Sequence, residues 1–451
     1  MSTSNEDTQS VEEIRSSQQL VADIIDNGQV SVQQILVIVL CLVFNMLDGF
    51  DITAMAIVAT SVSNELGLSA DKLGWIFSFA LAGMMIGAMG IAPLSDIIGR
   101  RKTIIMSLLL VGVSILLTAK ASSLTEFIVL RFVSGLGAGT MLACQATLAS
   151  EYSSEKYRAI SVNAVMAGYS LGALMTSVVA GYVMPEYGWR GMFWFGGGAT
   201  VLMSITAILF IPESLKFLFE QQPTDALKKA NKILIKLKRD TLSTLPGIAK
   251  STTAKGGMAN NVKALLSVDH RTRTLILWST FFLGFATLYV LMSWIPKLVE
   301  DTGYSSEIGR SAFYWFNLGG VVGIFISGTL AIRYSLTSVI SVLLVGSALA
   351  MVIFASVSVD LMVMMMIIFG IGLLQQGGFI SLYAAAAKAY PTDIRATGIG
   401  WCAGLGRSGA IIGPATAGYL IAAGFDMAAI FYTFAVPMAI GGLISFALKI
   451  K

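Results

Sequence analysis

The amino-acid sequence predicts an all-α, polytopic membrane protein in which twelve transmembrane helices form two pseudo-symmetric six-helix halves. Two observations lead to this prediction. The 451-residue chain is 55% hydrophobic and only 12% charged, with a mean hydropathy of +0.77, whereas a soluble globular protein carries about 25% charged residues. Apolar windows of about 20 residues, the length that crosses a bilayer, also recur along the whole chain after residue 30.

Twelve apolar windows give the predicted transmembrane helices. They lie at 33–59, 74–95, 103–120, 124–149, 158–184, 191–212, 272–296, 310–332, 336–357, 360–388, 396–424 and 427–449. The predicted domains are an N-terminal tail (1–30), a first half (31–212), a central loop (213–271) and a second half (272–451). The tail is acidic and lacks the basic start and cleavage site of a signal peptide, so we expect a retained cytoplasmic segment.

Basic residues concentrate in the loops on one side of the predicted bundle. That side holds the lysine-rich central loop and the following residues: Arg100, Arg101, Lys102, Lys156, Arg158, Arg333, Lys388, Arg395, Lys449 and Lys451. The opposite loops hold little beyond Lys72, Lys120, Arg190, Lys297 and Arg310. Because cytoplasmic loops are enriched in lysine and arginine, this bias and the even number of helices predict that both termini are cytoplasmic.

The rest of the composition argues against several classes of protein. The single histidine and three scattered cysteines (Cys41, Cys144 and Cys402) predict no metal site and no disulfide framework. No glycine-rich phosphate loop is present, which argues against ATP hydrolysis. No combination of nucleophile and base is visible either, which argues against an enzyme. We therefore expect no cofactor. The net charge of +4 follows membrane topology, so we expect a lipid bilayer and no nucleic acid as partner.

Two aspartates stand inside the first apolar window. Asp48 and Asp51 are three residues apart, so a helix projects both from nearly the same face. A charge at bilayer depth costs roughly 2.5–3.5 kcal/mol on insertion scales, which favours a proton or ion site facing a cavity; the alternative is a solvated bend at the helix end. A dry cavity beside another carboxylate favours the protonated form. We therefore expect Asp48 and Asp51 to couple protons as one titrating unit.

The two halves are related by an internal repeat. Around the fourth and fifth predicted helices the chain reads Tyr152, Arg158-Ala159, Gly172 and Ala180-Gly181-Tyr182. Around the tenth and eleventh it reads Tyr390, Arg395-Ala396, Gly409 and Ala417-Gly418-Tyr419. The spacing from arginine to the later glycine is the same in both. Repeats of this kind are typical of secondary transporters, in which the substrate site lies between the halves near the midplane.

The loop after the second predicted helix, Ala92–Lys102, resembles the loop signature of the major facilitator superfamily. Ala92 and Ile97 depart from that signature, and the second half has Ile332 where an aspartate would stand, so we expect no charge latch there. The resemblance implies the major facilitator fold and alternating access. It also implies a cytoplasmic gate, which we assign to Asp96, Gly99, Arg100, Arg101, Glu151, Arg158, Glu213 and Arg395.

Within that superfamily, Asp48-Gly49-Phe50-Asp51 is most similar to the aromatic acid:proton symporter family, supported by Tyr390–Gly398 and Gly404–Gly409. That family often carries a Pro-Asn pair in its fourth helix. Here Leu142–Gln145 occupies that place, so the cavity lining is expected to differ. The resemblance implies a monomer in the bacterial inner membrane that imports an aromatic carboxylate, such as benzoate, 4-hydroxybenzoate or protocatechuate, together with protons.

Two arginines within predicted helices are candidates for binding the substrate carboxylate. Arg407 lies about halfway along the eleventh helix, and a planar guanidinium holds a carboxylate through two hydrogen bonds. A structural ion pair with an aspartate of the other half is its alternative role. Arg131 begins a glycine-rich stretch of the fourth helix, and snorkelling to the outer interface is its alternative.

Other functions remain open beside the aromatic acid. A different organic acid, such as a muconate-like or dicarboxylate substrate, would suit the same arginines. A sugar porter fits less well, because the chain does not end in the Pro-Glu-Thr type of motif expected after its twelfth helix. A non-transporting membrane sensor is the alternative from another class of protein.

Overall fold

A computed structural model describes residues 24–26, 29–245, 263–357, 360–391 and 394–448. Most of the predicted tail and the linker part of the central loop lie outside these residues. The described elements are α1 (Val32–Leu66), α2 (Ala70–Ile86), α3 (Ser95–Ile98), α4 (Arg100–Thr118), α5 (Leu124–Glu151), α6 (Glu155–Phe210), α7 (Leu215–Gln221), α8 (Ala226–Lys236), α9 (Arg271–Asp301), α10 (Ser306–Arg333), α11 (Leu336–Ser356), α12 (Leu361–Ala389), α13 (Arg395–Ala422) and α14 (Met427–Ser445).

Ten of the described helices are long and apolar enough to cross a membrane. One of them, α6, has 56 residues and would be about 84 Å long at 1.5 Å per residue, far more than the roughly 30 Å of a hydrocarbon core. Gly188, at φ 62°, interrupts α6 and separates the predicted fifth and sixth helices. The predicted eleventh helix is α13, whose composition is less apolar. The structure therefore agrees with the predicted twelve-helix class.

Local sequence explains where the first helices differ from their predicted bounds. A capping box formed by Ser31 and Gln34 starts α1, and Gly67 in the left-handed conformation ends it. The helix thus continues past residue 59, where it was predicted to end. The predicted helix 74–95 begins earlier, at Ala70, and its last part is a π-helical turn, Gly87–Ile91, followed by a 3-10 turn, Ala92–Leu94.

Glycines let neighbouring helices pack at backbone contact. A Cβ on Gly139 would collide with the carbonyl oxygen of Met84, and one on Gly135 would collide with that of Ala80. The second half repeats this arrangement, because Gly372 lies against the carbonyl of Phe316. Small residues of this kind are the usual means by which membrane helices approach closely.

We expect Gly139→Val to destabilise the protein by separating α5 from α2. Overpacking of a close contact costs about 1–3 kcal/mol, and here the neighbour is backbone, which cannot rotate away. Thermal unfolding of the detergent-solubilised protein would measure the loss. Gly198→Val in α6 is the matched control, since nothing lies within 4 Å of a Cβ there. An equal loss in both variants would contradict the packing argument.

Hydrogen bonds join the two halves, meaning the helices before residue 213 and those after residue 270, toward one end of the bundle. We name the two ends after Gly67 and Gly99, which lie in turns on opposite sides. Near the Gly67 end, Trp75 Nε1 donates to Tyr419 Oη at 2.9 Å. Further in, Ser78 Oγ donates to the carbonyl of Ile411 at 2.6 Å. Among the described residues, no hydrogen bond or ring contact joins the halves at the Gly99 end.

Candidate functional site

Asp51 and Arg131 form a buried ion pair in the first half. Arg131 Nη2 lies 2.7 Å from Asp51 Oδ1, and both side chains are essentially inaccessible to solvent. Arg131 Nη1 also donates to the backbone carbonyl of Asp51 at 3.1 Å, and its guanidinium lies 5.2 Å from the ring centroid of Phe193. Arg131 is therefore buried and held by α1, so the snorkelling alternative is wrong. Its predicted contact with substrate stays a prediction.

Asp48 is the neighbouring carboxylate, and it has no such partner. Its side chain is 0% exposed, and neither of its carboxylate oxygens makes a hydrogen bond to another described group. It interacts electrostatically with Asp51 on its own helix and with Arg407 of the second half. Because it lies mid-helix in α1 and is fully buried, the alternative of a solvated bend is wrong. An unpaired buried charge is costly, so this position suits a carboxyl group that exchanges a proton.

Arg407 lies on α13 of the second half. It interacts electrostatically with Asp48, with Tyr169 of α6 and with Tyr383 of α12. The described residues supply no ion pair to Arg407. Its side chain is partly exposed although it lies between the halves. Its guanidinium is thus available to an anion that enters the space between them.

Aromatic side chains of the second half line the same region. Phe285 and Phe379 pack edge-to-face with ring centroids 4.6 Å apart. Phe281 and Tyr383 do so at 5.0 Å, and Tyr289 stacks on Phe285 at 6.0 Å. Edge-to-face and offset contacts of this kind are the geometry that aromatic rings prefer. This wall therefore offers a planar ring the contacts that the aromatic side chains make with one another.

Two tryptophans continue the aromatic wall. Trp278 and Trp401 stack with centroids 5.8 Å apart, and Trp278 Nε1 is buried without an acceptor among the described groups. Trp315 of α10 packs instead against Tyr314 and Phe369.

A second polar cluster lies at the Gly99 end, within the first half. Arg100 bridges Asp96 at 2.6 Å and Glu151 at 3.3 Å, joining the loop before α4 to the end of α5. Gly99 adopts φ 103°, a conformation that favours glycine, and a Cβ there would collide with Glu213. This turn places the backbone N–H of residue 101 at 3.0 Å from Glu213 Oε1.

Two predicted gate residues stand apart from this cluster. Arg158 and Arg395 make no ion pair with any described residue. Arg395 Nε donates to the carbonyl of Tyr390 at 3.4 Å, and its side chain is exposed. The structure thus brings together six of the eight predicted gate residues, five from the first half and Glu213 from the start of the central loop. Arg333 of the second half makes no ion pair with a described residue either.

Three further polar residues inside the first half received no individual role from the sequence. Asn45 Nδ2 donates to the carbonyl of Val165 at 2.7 Å, but its Oδ1 is unpartnered. The side chain of Gln145 is fully buried, and neither its oxygen nor its nitrogen makes a hydrogen bond to a described group. Tyr169 is buried and interacts electrostatically with Asp48 and Tyr289. Asn45 and Gln145 stand inside apolar windows, and that signal would have found them.

This chain is similar to a known protein family and to several transporters. The profile of the Major Facilitator Superfamily matches residues 39–373 and 277–450. The chain is 31% identical over 433 residues to the 4-hydroxybenzoate transporter PcaK of Pseudomonas putida, covering 93% of each chain. It is 29% identical over 419 residues to a gallate transporter of the same species, covering 92% of each. It is 26% identical over 427 residues to the benzoate transport protein of Acinetobacter baylyi, covering 93% of this chain and 91% of the relative.

A solved structure shows the same fold. The crystal structure of a D-xylose-proton symporter superposes with a TM-score of 0.72 at 15% identity, covering 91% of this chain and 97% of the other. The predicted fold class is confirmed, and the prediction of a transporter rather than an enzyme is confirmed by the relatives. From the matched profile, the extent of the similarity and the shared architecture, the chain belongs to the Major Facilitator Superfamily of membrane transporters.

Proposed function

We propose that this protein imports an aromatic carboxylate together with protons by alternating access. The observation that carries the proposal is that Asp48 and Arg407 come from different halves and interact electrostatically, beside the aromatic wall. A guanidinium recognises the carboxylate through paired hydrogen bonds, and the wall accommodates the ring. The relatives named for 4-hydroxybenzoate, gallate and benzoate support this class of substrate.

The proton is assigned to Asp48. Asp51 is already engaged in the ion pair with Arg131 at 2.7 Å. Asp48 has neither a hydrogen-bond donor nor solvent, so it carries a proton until a change of conformation admits water or a donor. The Asp51–Arg131 pair would then hold α1 against α5 and set the electrostatic field at Asp48.

The orientation follows from the basic loops. With both termini in the cytoplasm, the Gly99 end is cytoplasmic, and the contacts near the Gly67 end close the outward side. The structure then represents an inward-facing state in which substrate leaves toward the cytoplasm. Both walls of the site come from one chain, so a monomer suffices.

The net charge moved in each transport cycle determines which part of the proton gradient can drive uptake. A monoanion carried with one proton is electroneutral and draws on the pH difference alone. Use of the membrane voltage, about 2.3 kcal/mol per charge per 100 mV, requires a second proton. Recording current from proteoliposomes during uptake distinguishes the two: one proton predicts none, and two protons predict an inward positive current.

The test of the proposed function is uptake of labelled compounds by cells or proteoliposomes. We expect accumulation of hydroxylated benzoates that a protonophore abolishes, with little uptake of aliphatic dicarboxylates or muconate. Energy-dependent uptake of sugars without acids would overturn the proposal, and a protonophore-insensitive accumulation of the aromatic acids would remove the proton from it. The likeness to a xylose symporter concerns the fold alone at 15% identity and does not favour a sugar.

We assign the cluster around Arg100 to the cytoplasmic gate, because it joins three separate segments at the Gly99 end. We expect Asp96→Asn to change the initial uptake rate severalfold while leaving substrate affinity intact, since Glu151 still holds Arg100. The matched control is Glu65→Gln, which breaks an exposed ion pair with Arg190 at the other end. An unchanged rate and an unchanged ratio of influx to efflux in Asp96→Asn would remove the gate assignment.

A further inference from the structure

Gln145 on α5 is a buried polar side chain that the proposed mechanism leaves unused. It is 0% exposed, and both Nε2 and Oε1 lack a hydrogen bond to any described group. Buried amides are nearly always hydrogen-bonded, so an unsatisfied one needs an explanation. Asp48 presents the complementary case, a buried carboxyl group with two unpartnered oxygens.

The internal repeat tells which residues face Asp48. In the first half, Gly172 lies against the carbonyl of Met46; in the second half, Gly409 lies against that of Phe282. Met46 and Phe282 therefore occupy equivalent positions. Two residues further along each helix, Asp48 is equivalent to Gly284.

The same comparison fixes the register of α5 against α12. Gly135 lies against the carbonyl of Ala80, and Gly372 lies against that of Phe316, so Gly135 and Gly372 are equivalent. Each helix continues without interruption for a further ten residues. At that point stand Gln145 in the first half and Leu382 in the second.

The contacts of Gly284 in the second half then show what a side chain at the Asp48 position meets. A Cβ on Gly284 would lie 2.9 Å from Phe379 Cδ2 and 3.9 Å from Leu382 Cδ1. Transferred to the first half, this geometry directs the Asp48 side chain toward Gln145. The α5 helix already supplies Arg131 to Asp51, and Gln145 follows Arg131 by about four turns, so both project from nearly the same face.

The second half shows that the fold does not require polar residues at these positions. Its equivalents are Gly284 and Leu382, which carry no hydrogen-bonding side chain, although the helices pack in the same way. A carboxyl group and an amide in the first half therefore point to a task of that half alone.

We propose that Gln145 is a positioning residue for Asp48. The side-chain amide of Gln145 donates a hydrogen bond to the Asp48 carboxylate once the proton has been released. This inference rests on the proposed function, because it gives Asp48 the partner that proton release needs. The present structure holds the state before that bond forms, with both groups unpartnered. A hydrogen bond to the ionised form favours that form, so Gln145 eases release of the proton.

Other groups also face Asp48 and contribute to its titration. They are Asp51 on the same helix, Arg407 from α13 and Tyr169 from α6, which itself lies near Tyr289 of α9. Gln145 is neutral and is the contribution from α5. Its effect is therefore separable from theirs by a substitution that changes no charge.

The experiment compares the pH dependence of uptake in proteoliposomes for wild-type protein and Gln145→Leu, which installs the residue of the second half. We expect the midpoint at which uptake falls with rising external pH to move upward by about one pH unit, because the ionised carboxylate loses a donor. Gln145→Met, unbranched and without a donor, serves if the leucine variant does not fold. Ser347→Ala removes another buried, unpartnered polar group away from the site and should leave the midpoint unchanged.

A double variant identifies the path of the effect. In an Asp48→Asn background, the pH dependence of the exchange of internal for external substrate should not change when Gln145→Leu is added. An unchanged midpoint in the single variant, or the same shift in the Asp48→Asn background, would overturn the inference. If the wild-type protein transports no aromatic acid, the proposed function fails instead, and the two failures are thereby distinguished.

Discussion

Asp48→Asn is expected to abolish accumulation of the aromatic acid against its gradient while preserving exchange of labelled for unlabelled substrate. Asparagine has the shape of the protonated carboxyl group but cannot release a proton, so the carrier cycles without drawing on the pH difference. Each pH unit is worth about 1.36 kcal/mol per proton, so one coupled proton sustains roughly tenfold accumulation per unit. With Asp48→Asn, the ratio of internal to external substrate concentration should reach one and no more.

The measurement uses proteoliposomes loaded to an alkaline interior and diluted into acidic medium that contains labelled substrate. Wild-type protein should show a transient accumulation that a protonophore collapses, and Asp48→Asn should equilibrate without an overshoot. An overshoot retained in Asp48→Asn would place the exchanging proton on another group. Counterflow in symmetric buffer is the internal control, because it reports a folded carrier.

Asp51→Asn provides the contrast, because its expected defect is one of stability. Removing one partner of a buried ion pair leaves the other charge uncompensated and costs about 3–5 kcal/mol. Arg131 would lose its only ion-pair partner among the described residues. Thermal unfolding in detergent should therefore separate the two aspartates: Asp51→Asn lowers the midpoint of unfolding, and Asp48→Asn leaves it near that of wild type.

The sequence was sufficient to predict the class of fold, the twelve helices and the repeat, because bilayer-length apolar windows and basic loops follow directly from the energetics of insertion. It also singled out Asp48, Asp51, Arg131 and Arg407, since a charge inside an apolar window is costly wherever it lies. The sequence did not predict which of these charged residues pair with each other. Which aspartate Arg131 contacts depends on how α1 packs against α5, and a spacing along one helix does not contain that information.

The residues assigned to the gate also differ in how well the sequence predicted their contacts. The turn at Gly99 and the ion pair between Asp96 and Arg100 are local, and the loop signature singled out all three residues. Arg158 and Arg395 follow loops in equivalent positions of the repeat, yet neither joins the cluster around Arg100. Their contacts depend on how separate helices pack at the Gly99 end, which spacing along the chain does not contain.

Replacement of Arg407 is expected to weaken binding of the carboxylate far more than binding of the ring. Loss of charge-assisted hydrogen bonds costs about 2–3 kcal/mol, which corresponds to a roughly 30- to 150-fold higher Kd for Arg407→Gln. Arg407→Lys keeps the charge but loses the planar fork, so it should recover part of the affinity. Calorimetry on the detergent-solubilised protein measures both.

The decisive comparison uses 4-hydroxybenzoate and its neutral amide, 4-hydroxybenzamide. If Arg407 binds the carboxylate, wild-type protein prefers the acid strongly, and Arg407→Gln loses that preference while retaining its weak affinity for the amide through the aromatic wall. If Arg407 serves only as a counter-charge to Asp48, the preference survives and the pH dependence of binding changes instead. Because Asp48 and Arg407 interact electrostatically across the halves, a double variant of both residues should distinguish these roles. If the effects of the two substitutions on binding are independent, Arg407 binds the anion. If they cancel, Arg407 acts as the counter-charge of Asp48.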